Sequence, residues 1–155
     1  MNTDNEILKL FLVDAGTPNE AFAARGSQIW RTHEEEARIY ESLQRAPETE
    51  QFRLITLLPD RFNGPIDCLL KRVKLVPFND PAYISYEALS YVWGDPQDRL
   101  SYLHLNGALI TVGYNLSQAL IHLRRPDVPR VLWVDALCID QNNIEERGHQ
   151  VQSGL

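Results

Sequence analysis

The chain has 155 residues and a net charge of -6, so it holds one domain-sized core with an extension and lacks the clustered Lys and Arg that a sequence-independent grip on nucleic acid needs. Apolar residues make up 44% and charged residues 23%, a globular composition that excludes wholesale disorder. No stretch approaches the roughly 20 apolar residues of a membrane span, and the apolar run at residues 7–13 follows Asp4 and Glu6 and contains Lys9, which excludes a secretory signal. The reading is of a soluble, cytoplasmic protein.

Residues 1–50 have helical composition and no strand-like alternation, and predict a mainly helical N-terminal extension. Thr17-Pro18 suits a helix start before residues 19–25, and a second helix over residues 29–44 places Ile29, Trp30, Ala37, Tyr40 and Leu43 against the solvated run Glu34-Glu35-Glu36. From residue 51 the texture turns to strand and turn, and residues 51–155 are assigned to a second unit. Residues 52–58 and 66–76, joined through Asn63-Gly64-Pro65, predict a hairpin with a longer loop. Residues 87–92 predict a third strand, stopped by Trp93-Gly94-Asp95-Pro96. The short basic runs Lys71-Arg72-Val73-Lys74 and Arg124-Arg125 read as solvated strand and helix ends.

The clearest local signal is Asn106-Gly107 between two β-rich runs, the signature of a two-residue hairpin turn. Asn115 followed by Gln118 has the spacing of a reciprocal helix cap, and Leu116, Ala119, Leu120 and Leu123 then recur on one helical face until Pro126. Residues 131–134 are apolar without alternation, as in a strand covered on both faces. Strand, helix and strand over residues 108–134 predict a right-handed crossover between parallel strands, within a mixed sheet flanked by helices. Asn143 and Glu146 have capping-box spacing for a last helix. Cys68 and Cys138 sit in apolar runs and read as buried free thiols, and His33, His104, His122 and His149 share no metal-ligand spacing with them, so no metal site is predicted.

Three stretches together resemble the heterokaryon-incompatibility (HET) domain of filamentous fungi: Tyr86-Glu87-Ala88-Leu89-Ser90-Tyr91-Val92-Trp93-Gly94-Asp95; Asn115-Leu116 to Leu123-Arg124; and Leu132-Trp133-Val134-Asp135-Ala136-Leu137-Cys138-Ile139-Asp140-Gln141 running into Glu146-Arg147 and Gln150-Val151. Order, spacing and residue type agree over about a hundred residues. The chain departs from the family at Asp140, where Asn is common, and at Asn143, where Asp is usual. After Val151 the family continues through a Met and an Ile-Tyr pair into further helices and strands, whereas this chain reads Gln152-Ser153-Gly154-Leu155. The resemblance therefore implies a domain incomplete at its C-terminus, either a fragment, an alternative transcript or an erroneous gene model.

What the resemblance implies for function is a signalling or interaction domain of self/non-self recognition, acting through self-association or protein partners to trigger regulated cell death. It also implies an α/β fold related to the TIR domain, some members of which hydrolyse NAD. Ligands of open α/β sheets sit beyond the carboxyl ends of the strands, which nominates Trp93, Asp95, Asp140 and Gln141 as binding residues and Glu146 and Asp135 as candidate catalytic carboxylates. A carboxylate could stabilise an oxocarbenium-like ribosyl centre with NAD as substrate. The blander readings are a capping role for Glu146, a turn role for Asp95 and a core role for Trp133. No phosphate-cradling glycine loop is present, and an inactive fragment of a longer protein is the remaining alternative.

Overall fold

Asn106 and Gly107 both have positive φ, 52° and 82°, the left-handed pair that a two-residue hairpin turn matched to strand twist requires. They join β5 (Leu100–Leu105) to β6 (Ala108–Gly113) in an unbroken antiparallel ladder from Leu100↔Gly113 to Leu105↔Ala108. The Asn106 side chain also pairs with the backbone of Leu70, accepting from its N–H at 2.8 Å and donating to its carbonyl at 3.2 Å. The turn residue thus fixes the hairpin against the neighbouring strand as well as closing it.

The computed structural model describes residues 11–14, 33–41, 43, 51–95 and 99–152. Besides the hairpin these hold β1 (Phe11–Asp14), α1 (His33–Glu41), β2 (Gln51–Leu57), β3 (Asp67–Lys74), β4 (Glu87–Ser90), α2 (Tyr114–Leu123), β7 (Arg130–Trp133), α3 (Asp135–Cys138) and α4 (Ile144–Gln152). The strands form one mixed sheet in the order β1-β4-β7-β2-β3-β5-β6. β2 and β3 make the hairpin expected from their sequences; α2 falls where its apolar periodicity puts it, and α4 follows the Asn143 cap. The α/β class and the mixed sheet are as read from the sequence.

The predicted parallel crossover is not formed. β7 pairs antiparallel with β2 and parallel with β4, so three strands separate it from β6 and the two run in opposite senses. Local texture identified a strand covered on both faces, and its position inside the sheet explains that texture. Its neighbours are set by non-local pairing, which local texture does not encode. The helix between them, α2, instead packs its buried Leu116, Ala119, Leu120 and Leu123 against the sheet's own core.

Within residues 1–50, expected to be mainly helical and without strand-like alternation, Phe11–Asp14 forms β1 and pairs antiparallel with β4. The helix predicted over residues 19–25 lies outside the described residues, as does part of the one over residues 29–44. Within that second span α1 forms, and Ile39 and Tyr40 join the buried core.

The sheet curls. In a flat sheet β4 and β6 would lie about 24 Å apart, at five strand spacings. Yet Asn115, two residues beyond β6, donates to the carbonyl of Val92, two residues beyond β4, at 3.0 Å. That bond replaces the predicted cap: α2 starts at Tyr114, its N-cap is Gly113, and no side chain caps it. The concave core holds Ile55, Leu57, Leu103, Leu105, Ile110, Val112 and Leu132, all 2% exposed or less.

Arg124 overturns its reading as a solvated helix end, for it is 8% exposed. Its guanidinium donates to the carbonyls of Pro65, Arg61 (2.6 Å), Phe62 (3.0 Å) and Gly64 (3.0 Å), and so gathers the β2–β3 loop around the end of α2. Arg125, Lys71, Arg72 and Lys74 are exposed, as expected. Among the described residues no helix is long and apolar enough to cross a membrane.

Candidate functional site

β4 and β7 are parallel neighbours in the register Glu87↔Leu132 and Ala88↔Trp133, so both chains leave the sheet on the same side. Trp93 follows β4 and Asp135 follows β7, and the indole N–H of Trp93 donates to Asp135 Oδ2 at 3.2 Å. Asp135 is 8% exposed. A carboxylate so buried needs donors, and its Oδ1 accepts from the N–H of Ala136 at 2.7 Å. Trp93 itself is half-buried and stacks on Tyr91, ring centroids 6.0 Å apart and planes 8° from parallel. Gly94 takes a positive φ of 85°, which turns the chain sharply away after the indole. Trp133, by contrast, is a core residue at 6% exposure.

Gln141 donates its side-chain N–H to the carbonyl of Asp135 at 2.9 Å, closing the loop after α3 back onto its start. Asp140 accepts from the N–H of Asn142 at 3.0 Å and, through its carbonyl, from that of Asn143 at 3.1 Å. These turns aim α4. Asn143 accepts from the N–H of Glu146 at 3.1 Å, which is the first half of the predicted capping box. The second half is diverted. The Glu146 carboxylate reaches the N–H of Asp140 at 3.2 Å and pairs in bidentate fashion with Arg53, Oε2 lying 2.8 Å from Nη2.

Arg53 is the residue that sequence reasoning missed. At 4% exposure in β2, it also donates to the carbonyls of Cys138 (2.9 Å) and Leu43 (3.3 Å), and its guanidinium lies 5.1 Å from the ring centre of Tyr40. Tyr40 in turn donates its hydroxyl to the carbonyl of Leu137 at 2.7 Å. One cation therefore joins β2, α3, α4 and the segment around α1. A lone Arg inside the apolar run at residues 52–58 was the available signal, because a charge there must be paired.

The structure thus brings Trp93, Asp135, Asp140, Gln141 and Glu146 into one connected assembly, while Asp95 stands on the exposed turn beyond Trp93. Within it the roles differ. Both Glu146 oxygens are engaged by Arg53, an arrangement suited to holding α4 in place. Asp135 lies at the strand ends, with one carboxylate oxygen held by the Trp93 indole N–H and the other by the N–H of Ala136. Cys138 is buried at the centre of the assembly, and burial pushes its thiol up to about 12; burial does the same to Cys68. Both stay protonated at neutral pH, so neither is an activated nucleophile. Among the described residues no cluster of three or more His, Cys, Asp or Glu is placed to hold a metal ion.

Residues 86–153 match the family model for heterokaryon incompatibility protein (HET). The chain is 30% identical over 128 residues to heterokaryon incompatibility protein 6, OR allele, of Neurospora crassa, an alignment covering 73% of this chain. It spans 18% of the length of that relative. No solved structure matches the chain. The matched segment supplies Trp93, Asp135, Gln141 and Glu146, and with it the chain belongs to the heterokaryon incompatibility (HET) family.

Proposed function

We propose that the chain is a cytoplasmic signalling module of fungal self/non-self recognition, which associates with copies of itself or with a protein partner and so commits the cell to death. The observation that carries this reading is the family match over residues 86–153, reinforced by the similarity to a heterokaryon incompatibility protein. Trp93, Asp95, Asp140 and Gln141 offer the surface by which the module meets a protein partner, the buried Asp135 and Glu146 hold that surface in shape, and nucleic acid has no part in it. The test is inducible expression of the chain in a filamentous fungus, scored by hyphal growth and vital-dye uptake, alongside sedimentation velocity across the micromolar range. Growth arrest with dye uptake, and a sedimentation coefficient that rises with concentration, support the module. Normal hyphae containing the intact, strictly monomeric protein would refute it.

A second reading, TIR-like NAD hydrolysis, draws on one specific observation: an aromatic ring and a buried carboxylate meet where two parallel strands end. In that reading Asp135 is the first carboxylate to replace. NAD turnover by the parent chain that is abolished in Asp135→Asn supports it. No turnover in the parent removes it.

A further inference from the structure

β1 ends the sheet at the edge of β4, and β4 is the only strand with which it pairs among the described residues. The ladder is short, four residue pairs from Phe11↔Ser90 to Asp14↔Glu87. Without it, the edge of β4 would present unpaired backbone groups. Natural edges are protected by Lys, Pro or inward-pointing charges. β4 has none of these to spare: it reads Glu-Ala-Leu-Ser, its Leu89 is fully buried, and Glu87 is drawn to the Nε of Arg130 at 2.7 Å. The family match begins at residue 86, so β4 belongs to the matched segment while the strand that covers it lies outside.

The covering strand also has the chain length to reach a second copy. Residues 15–32 separate it from α1, and a connection of that length can extend to roughly 60 Å, many times the spacing between strands. The same ladder can therefore form within one chain or between two. Exchange conserves every backbone hydrogen bond and costs only the freedom lost on association, which makes it concentration-dependent.

We propose that β1 is an exchangeable strand: Phe11–Asp14 of one copy completes the β4 edge of a second copy, which makes this edge the interface through which the chain self-associates. The inference rests on the self-association half of the functional reading and names its surface.

The experiment mixes two full-length variants, Val13→Cys and Ala88→Cys, whose positions are opposite each other in the ladder. After oxidation with glutathione disulfide, heterodisulfide dimers are quantified on a non-reducing gel. A mixture of Val13→Cys with Lys74→Cys reports random collision, and the native Cys68 and Cys138 are buried. The doubly substituted chain Val13→Cys/Ala88→Cys reports the ladder within one copy. The expected result is a heterodisulfide at least about tenfold above the collision control, rising with protein concentration. A yield equal to the control while the double variant closes within one chain would show that β1 stays at home and overturn the inference. Failure of the double variant to close would overturn it too, by removing the ladder. Because the yield is read without reference to hyphal death, a strong heterodisulfide beside healthy hyphae would sink the cell-death half of the functional reading and leave the exchange standing.

Discussion

Arg53 and Glu146 are 93 positions apart in sequence and paired at 5% and 10% side-chain exposure, so each depends on the other for solvation. Removing one partner from such a pair strands a buried charge, whereas replacing both with apolar groups of similar size is often tolerated. Arg53→Met should therefore lower unfolding stability by about 3–5 kcal/mol in urea titration, and Arg53→Met/Glu146→Leu should recover much of it. A double variant as unstable as the single one would shift the role to the bonds that Arg53 makes to Leu43 and Cys138. The two buried thiols give a residue-scale pH dependence. Cys68, ordinarily near 9.0, is pushed up to about 12 by burial, then by Cys138 and Asp67. Above pH 9 the unfolded thiol has lost its proton while the folded one keeps it, so the folded state binds more protons and stability falls as pH rises. The contribution is intact below that pH and erodes between 9 and 12, by about 1.4 kcal/mol per pH unit for each thiol. Denaturation of Cys68→Ala across this window should show a shallower loss than the parent, and equal slopes would contradict the shift.

At the scale of elements, Arg124 holds the β2–β3 loop by four carbonyls at the end of α2. A lysine at this place carries the same charge but cannot present a planar fork of donors. Arg124→Lys should cost about 2 kcal/mol by the loss of charged hydrogen bonds, and should make residues 61–65 the first site of cleavage in limited proteolysis. Unaltered cleavage kinetics would mean that the loop is held by other contacts. The elements themselves were largely legible in the sequence because their signals are local. The Asn106-Gly107 turn, the apolar face of α2 and the β2–β3 hairpin each declare themselves within a dozen residues. The diversion of Asn115 from capping α2 to the carbonyl of Val92, and the solvation of Arg124 by loop carbonyls, were not legible, since in both the deciding partner comes from another element. The candidate site divides in the same way. Trp93, Asp135 and Gln141 were found from strand ends and family pattern, while Arg53 was missed because its partners are an acid at the far end of the chain and two backbone carbonyls.

For the molecule as a whole, sheet order dictates where stability resides. β7 is close to the C-terminal end of the sequence, yet it is bound on one side by β4 and on the other by β2, with Leu132 and Trp133 buried. Taking it out would leave β1 and β4 on one side and β2, β3, β5 and β6 on the other, with no ladder between them. Its amides can therefore exchange with solvent only when the sheet itself comes apart. β1 is bound on one side by four residue pairs and can open without disturbing the rest. α4 sits between these limits: Ile144 is 81% exposed, and the helix is tied to the body through Glu146. Proteins open in local and sub-global units whose free energies range from near zero to the global value. Native-state hydrogen exchange should accordingly rank the amides of β7 and β2 as the slowest, exchanging by global unfolding with full denaturant dependence. Those of α4 should be intermediate, and those of β1 the fastest among the strands, with little denaturant dependence. In Arg53→Met the α4 amides should fall to the level of β1 while β7 retains its rank. Equal protection of β1 and β7 would mean that the edge strand is as firmly built in as the central one, and strand exchange at the β4 edge would then require the whole sheet to unfold.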